Sequence, residues 1–311
     1  MTAPVSTDAA DRRVLIVGHP RRADIPDLAR VVLDRLHLDG MRGVLLEPDA
    51  ERLGLLDHPA VEVADPAAPA RGCEVVCVLG GDGTILWGAE LARGSGVPLL
   101  GVNLGHVGFL AEAEREELGA TVDRIAALDY TVEERLALEV TGYLDGQPFY
   151  EGWALNEISV EKAARERMLE LTVEIDGRPL STWACDGVVV ATPTGSTAYA
   201  FSAGGPIVWP DVEALLLVPL SAHALFSRPL VVGPGSVLAV EIIPKTEGSG
   251  VLWADGRRTI DLPQGARLEV RRSPDRVCFA RLSAAPFTDR LVAKFDLSVH
   301  GWRGQGRAGA G

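Results

Sequence analysis

Basic charge is scarce in this chain of 311 residues: 30 Lys and Arg stand against 43 Asp and Glu, a formal net charge of −13. Such a surface repels polyanions, which argues against a nucleic-acid or an anionic-membrane partner. It also means that any nucleotide must be held by local backbone dipoles, selected cations and a metal ion, against the overall field. Cysteine is scarce too. The four residues Cys73, Cys77, Cys185 and Cys278 form no CxxC pair, and a zinc site needs more ligands at tighter spacing. No structural metal is expected, Cys73 and Cys77 read as core residues on one face of a strand, and the chain reads as cytoplasmic and reduced. It lacks the roughly eighteen-residue apolar run of a membrane helix. The first dozen residues, with Asp8 and Asp11 among them, lack the apolar stretch of a signal peptide. There is no internal repeat.

What is present suffices for two bodies. At 311 residues, 47% of them apolar, the chain is long for one core and comfortable for two. Met1–Arg12 is small, polar and expected to be disordered. Strand and helix patterns then alternate. Arg13–Gly18 reads as a strand, Asp27–Leu38 as a helix with Leu28, Val31, Val32 and Leu33 on one stripe, and Gly43–Glu47 as a second strand. Glu74–Leu79 and Val97–Asn103 follow as strands, with helices expected from Thr84 or Ile85 and over Glu112–Leu128. The alternation predicts an α/β domain over residues 13–130, with a parallel, Rossmann-like sheet and its ligand at the strands' C-terminal ends.

The rhythm changes near Tyr130, to short strands separated by turn signals. Asp145-Gly146 lies between Leu136–Tyr143 and Gln147–Val160, and Asp176-Gly177 between Met168–Ile175 and Pro179–Cys185. Val237–Ile243, Gly250–Ala254 and Arg267–Arg272 continue the pattern. A C-terminal all-β, sandwich-like domain is predicted over residues 131–287, interrupted by a helix at Ser196–Phe201 and another near Pro219–Leu225. The tail Gly301–Gly311 is Gly-rich and reads as flexible.

Two segments carry the chemistry. Gly80-Gly81-Asp82-Gly83-Thr84 follows the apolar run Val75–Leu79, and Thr192-Pro193-Thr194-Gly195-Ser196-Thr197-Ala198-Tyr199 follows Asp186–Val190. Each ends a buried-looking strand in small and hydroxylated residues, where a tight turn or a helix start offers N–H groups to phosphate. An aspartate inside such a loop repels the ligand unless it takes a proton or holds a cation. The bland alternative is a helix cap or an Asx-turn.

Together with Asn156-Glu157, Cys185-Asp186-Gly187 and Ser202-Ala203-Gly204-Gly205-Pro206-Ile207, these segments resemble the NAD kinases, which phosphorylate NAD to NADP with ATP or polyphosphate. The resemblance covers roughly residues 75 to 300, in the family's order; the GGDG run alone would also fit lipid kinases and phosphofructokinase-like enzymes. It implies phosphoryl transfer to the 2′-hydroxyl of the adenosine ribose, with Asp82 as general base. Gly80, Gly81, Gly83 and Thr84 would form the phosphate-donor loop. NAD contacts are implied for Asp82, Gly83, Asn156, Glu157, Arg167, Asp186, Thr197, Ala198, Tyr199 and Ser202, with Glu157 accepting from ribose hydroxyls and the helix start after TPTGS suiting an anion or a polar base edge. Mg²⁺ would arrive with the donor's phosphates and not in a protein cage. Residues 288–300 would return to the α/β domain, and a homodimer or homotetramer is implied through the β domain.

Plainer roles stand beside these. Asn156-Glu157 fits a solvated strand end, Arg165 competes with Arg167, Tyr199 fits core packing, and Thr194 and Ser196 fit helix caps. His223 reads as structural, His106 as a loop residue, and Asp255-Gly256 as a hairpin turn near the ligand's far end. Trp87 stands where the resembled family carries a basic residue near the phosphates, so that either another cation, such as Arg22 or Arg93, supplies that charge or dinucleotide and donor affinity is weaker. Two other functions compete: a lipid or sugar kinase, which has no need of TPTGSTAY, and a non-catalytic NAD(H)/NADP(H) sensor, which has no use for Asp82.

Overall fold

The computed structural model describes residues 12–105, 108–164, 168–244, 248–283 and 285–299. The chain forms two compact units, one from residues 1–133 and 278–311 and the other from residues 134–277. The first begins with β1 (Arg13–Gly18), α1 (Ile25–Leu38), β2 (Arg42–Leu45), α2 (Glu47–Leu53), β3 (Val61–Val63), β4 (Val75–Leu79), α3 (Asp82–Leu91), β5 (Leu99–Asn103), β6 (Ala113–Glu114), α4 (Leu118–Ala126) and β7 (Thr131–Arg135). The second holds β8 (Leu138–Leu144), β9 (Gln147–Ala154), β10 (Glu157–Lys162), β11 (Leu169–Ile175), β12 (Arg178–Cys185), β13 (Gly187–Ala191), α5 (Tyr199–Ser202), β14 (Leu215–Leu220), β15 (Leu230–Val232), β16 (Leu238–Ile242), β17 (Gly250–Ala254), β18 (Arg258–Leu262) and β19 (Arg267–Arg272). The chain then returns through β20 (Val277–Arg281) and α6 (Phe287–Phe295).

In the first unit the strand order is β3-β2-β1-β4-β5-β20-β7, with β6 on β5. β1 pairs in parallel with both β2 and β4. The order reverses between β1 and β4, and at such a switch point the loops after two neighbouring strands diverge and leave a crevice at their carboxyl ends. Both faces of the sheet are covered, which is why β1 and β4 are continuous apolar runs and not alternating ones. One face packs Val14, Ile16, Cys77 and Leu100 against Leu28, Val32 and Leu36 of α1 and Ile125 of α4. Against the other lies α3, so close that a side chain on Gly88 would press on Val78 and Leu99 at 2.8 and 3.0 Å.

The second unit has two six-stranded sheets, β15-β14-β13-β10-β17-β18 and β12-β11-β16-β19-β8-β9. Alternate residues of both meet in one core, for example Ile158, Val190 and Leu217 with Leu171, Trp183 and Val240. β13 and β14 are buried on their outer face as well, where Val189, Ala191 and Val218 meet Ala200 of α5. Asp145-Gly146, Asp176-Gly177 and Asp255-Gly256 each place both residues at positive φ, between 50° and 76°. That is the two-residue hairpin geometry which Asp-Gly accepts with little strain.

The fold class is the expected one, and the structure differs in detail. Val31 is exposed while Leu28, Val32 and Leu33 are buried, so the inward stripe of α1 is narrower than predicted. Cys73 lies ahead of β4 and not on it, whereas Cys77 sits in the core. The helix expected over Glu112–Leu128 begins at Leu118, after β6 and a 3₁₀ turn at Arg115–Glu117. The strand expected over Gln147–Val160 breaks at Leu155-Asn156 into β9 and β10, which belong to different sheets. No helix forms near Pro219: Leu215–Leu220 is a strand paired with β13. The return comes at Cys278, ahead of the expected Thr288, because β20 enters the first sheet beside β5 before α6 begins. Arg12, expected to be disordered, holds Glu74 at 2.7 Å and the Ala126 carbonyl at 2.8 Å. The expectations for Met1–Asp11 and Gly301–Gly311 lie outside the described residues, as do those for His106, Arg165 and Arg167.

Candidate active site

The aspartate-bearing loop sits at the switch point of the first sheet. Gly80 still follows β4, its N–H donating to the Val102 carbonyl at 3.0 Å. α3 begins almost at once, at Asp82, with Gly81 extended before it. Gly80, Gly81 and Gly83 all have ordinary φ values, so the loop turns without left-handed backbone. What its glycines supply is space. A side chain on Gly80 would collide with Thr84, but one on Gly81 or Gly83 would meet no atom within 4 Å. The first-turn amides ahead of Thr84 and the positive end of a ten-residue helix therefore lie beside open backbone, which suits phosphate.

Asp82 does not cap its own helix. Its carboxylate accepts from the amides of Phe109 and Leu110, each at 3.1 Å, in the loop after β5. Each oxygen keeps a lone pair for another donor. That loop is itself pinned from behind: Arg290 of α6 donates to the carbonyls of Phe109 and Ala111 at 2.9 and 2.8 Å and to Glu112 at 2.5 Å. The Glu112 side chain, 1% exposed, also receives Arg281 and the Leu282 amide. Removing either member of such a buried pair is costly. Neither Arg290 nor Glu112 was a candidate in the sequence, where both read as ordinary charges.

The substitute cations separate. Arg22 follows β1 and lies beside Gly105, at the same carboxyl end of the sheet as the loop; it is held by both oxygens of Asp24. The Arg22 guanidinium holds the Asp24 carboxyl down to about 2. Arg93 follows α3 instead. With Trp87 and the Pro66–Gly72 segment it lines a separate cleft of about 580 Å³, on segments that precede β4 and β5. Among the described residues, no group of three or more His, Cys, Asp or Glu is placed to hold a metal.

In the second unit, the Asn156-Glu157 pair and the TPTGSTAY segment come together. Thr192 donates its amide to the Asn156 carbonyl at 2.9 Å and its hydroxyl to the Leu155 carbonyl at 2.6 Å. A side chain on Gly195 would strike the Asn156 backbone, which explains glycine there. The expected Ser196–Phe201 helix is instead a 3₁₀ turn at Thr194–Thr197 followed by the single turn α5. Thr194 and Ser196 cap nothing; the Ser196 hydroxyl pairs with the Val208 backbone. The helix N-terminus expected to suit an anion is thus too short, and the Tyr199 amide is directed at the Glu157 carboxyl.

Asp255, which the sequence showed as a hairpin residue, is buried beneath this pair. It accepts from the amides of Leu155, Asn156 and Glu157 at 2.9, 2.7 and 3.3 Å and from Arg258 at 3.0 Å. Alongside, Asp186, Tyr199 and Ser202 line a cleft of about 540 Å³ with Glu161 and Lys162. Lys162 pairs with Asp186 at 2.5 Å and holds its carboxyl below the usual range. Tyr199, 36% exposed, reaches solvent and is not core. Thr197 donates to the Thr194 carbonyl, and Ala198 links the 3₁₀ turn to α5. His223 is exposed and pairs through its amide with Ala184.

A glycine-opened loop at a switch point, carrying one anchored carboxylate, is the kind of site that suits phosphoryl transfer. The comparisons with known proteins narrow that reading. Residues 14–130 match the model of the ATP-NAD kinase N-terminal domain and residues 155–282 that of the ATP-NAD kinase C-terminal domain. NAD kinase 2 of Streptomyces avermitilis is 56% identical over 300 residues, covering 96% of this chain and 99% of its own. The NAD kinase of Leifsonia xyli is 57% identical over 300 residues, covering 95% and 98%. Among solved structures, yeast NADH kinase complexed with NADH shares the fold, with a TM-score of 0.84 at 24% identity over 93% of this chain and 89% of that one. The chain belongs to the NAD kinase family.

Proposed function

We propose that the chain transfers the terminal phosphoryl group of ATP to the 2′-hydroxyl of the adenosine ribose of NAD, giving NADP and ADP. Asp82 takes the hydroxyl proton as the oxygen–phosphorus bond forms. The observation that carries this is a carboxylate fixed by two amides at the head of α3, amid open glycine backbone. Gly81 and Gly83, with the Thr84 hydroxyl, serve the donor's phosphates; Gly80, also expected there, has its amide on the Val102 carbonyl and serves the turn. Asn156, Glu157, Asp186, Thr197, Ala198, Tyr199 and Ser202 serve the dinucleotide, and Arg167 is assigned to it by resemblance. The names of the relatives support the substrate, and an NAD kinase from Archaeoglobus fulgidus solved in complex with ATP supports the donor. Mg²⁺ fits a site in which phosphates and water provide most of the ligands; when bound, it neutralises the donor's charge. A cytoplasmic homodimer or homotetramer is proposed on the family resemblance alone; among the described residues no helix is long and apolar enough to cross a membrane.

The test incubates purified protein with NAD, Mg²⁺ and either ATP or inorganic polyphosphate, and assays NADP. NADP is expected with ATP. Asp82→Asn is expected to bind NAD nearly normally and to lose about 10²–10⁴-fold in kcat. Full activity in that variant sinks the assignment of the base.

A further inference from the structure

Glu157 opens β10 and is 7% exposed, and its Oε2 is buried without a hydrogen-bond partner among the described residues. Its surroundings offer donors, but most serve a second carboxyl. The amides of Leu155, Asn156 and Glu157 itself, and the Arg258 guanidinium, all go to Asp255. Glu157 receives the Tyr199 amide. An ionised carboxylate can only accept, and leaving one of its oxygens buried without a protein donor beside a second buried anion is unfavourable on both counts. A carboxylic acid in the same place is uncharged and has a proton to give.

We infer that Glu157 carries a proton in the free protein at neutral pH and meets the dinucleotide as a hydrogen-bond donor, in place of the acceptor role that the resemblance implies. The donor half of this rests on the reading of the Asn156-Glu157 end as a dinucleotide contact. Its natural counterpart is an uncharged acceptor, such as a purine ring nitrogen or a ribose oxygen. A neutral acid there also avoids adding a negative charge near a ligand that carries a pyrophosphate.

The neighbours fix which carboxyl holds the proton. Burial first, and the Asp255 charge second, push Glu157 up to about 8. Burial pushes Asp255 up too, but three amides and Arg258 favour its charged form, so of the two carboxyls Glu157 is the better place for the proton. Tyr199, from α5, Glu161 and Lys162, further along β10, and Asp186, before β13, are titratable or charged groups of the adjoining cleft; the Tyr199 hydroxyl pairs with Glu161, and Lys162 with Asp186. The 3₁₀ turn that presses Gly195 on Asn156 brings no charge.

The test compares wild type with Glu157→Gln, whose amide mimics the protonated acid. In the ligand-free protein, carbon-detected NMR should show the Glu157 carboxyl titrating near pH 8. Because the folded protein keeps a proton that the unfolded chain releases near the ordinary glutamate value, stability falls as pH rises toward 8, and wild type should lose stability relative to Glu157→Gln in thermal melts over that range. Calorimetric titration with NAD should give an affinity about tenfold weaker at pH 9 than at pH 7 in wild type, following the protonated fraction, and a ratio near one in the variant. A ligand-free carboxyl that titrates below pH 6 overturns the proton. Wild-type affinity that is flat or rises with pH, together with binding at least tenfold weaker in Glu157→Gln at pH 7, overturns the donor role. Absence of NAD binding at every pH defeats the dinucleotide reading and the donor role with it, while the carboxyl titration still decides the proton.

Discussion

The switch-point end of the α/β unit and the Asn156 end of the β unit each present a carboxyl group, under opposite conditions. Asp82 is half-buried, and each of its oxygens receives a backbone amide. Glu157 is buried, has one oxygen without a partner among the described residues, and lies beside an Asp255 that draws the local donors. Environment and not residue type separates the two: backbone amides hold Asp82 in place, whereas burial beside a second carboxyl disfavours charge on Glu157. The two ends also differ in how they are held. Asp82 is the anchored group, and its loop is fixed from behind by Arg290 and Glu112. At the other end Asp255 is itself the anchor, gathering the backbone before β10.

The difference can be broken from the larger side first. Asp255→Ala should cost about 3–5 kcal/mol of folding stability in urea titration, because it strands three buried amides and removes the carboxylate that Arg258 holds. Asp82→Asn should cost only about 1 kcal/mol, since it removes a charge from a half-buried position and keeps an oxygen for one amide. Equal stability losses would erase the distinction between anchor and anchored group. A smaller effect targets geometry. A side chain on Gly108 would collide with the Asp82 carboxylate, within unchanged surroundings. Gly108→Ala should therefore lower kcat by about 10–100-fold, as misplacement of a reacting group does, while leaving the NAD dissociation constant close to wild type. A loss confined to NAD affinity would mean that Asp82 serves binding and not chemistry.

Much of the scaffold was legible because it rests on local rules. β1, β4 and β5 are long apolar runs, and the Asp-Gly hairpins announce themselves through the left-handed backbone that they need. α2 escaped notice because it buries only Ala50 and Leu53, and β3 because it is three residues long. A helix is expected near Pro219 where β14 in fact runs to Leu220. The ladder tolerates the proline because β15 pairs only with Leu215–Leu217, leaving the far end of β14 an edge on that side. The site was legible where function sits in consecutive residues, as in the aspartate-bearing loop and TPTGSTAY. It was not legible where one distant side chain completes it. Asp-Gly reads alike whether its carboxylate faces water or lies under amides 99 residues away in sequence, and Arg290 stands 178 residues from Glu112.

The smallest expected effect separates space from conformation within a single loop. Gly81 precedes α3 in an extended conformation that alanine also adopts, and a methyl group there would touch nothing within 4 Å. Gly81→Ala should therefore cost only about 0.5–1 kcal/mol in stability, the margin by which glycine is preferred to alanine at a helix N-cap. If the open backbone is where donor phosphates approach, the same methyl group enters their space, so the KM for ATP should rise severalfold while the NAD dissociation constant stays unchanged. An unchanged KM for ATP would show that Gly81 leaves room for water and not for phosphate. The donor would then have to be gripped at Gly83 and Thr84, further into α3.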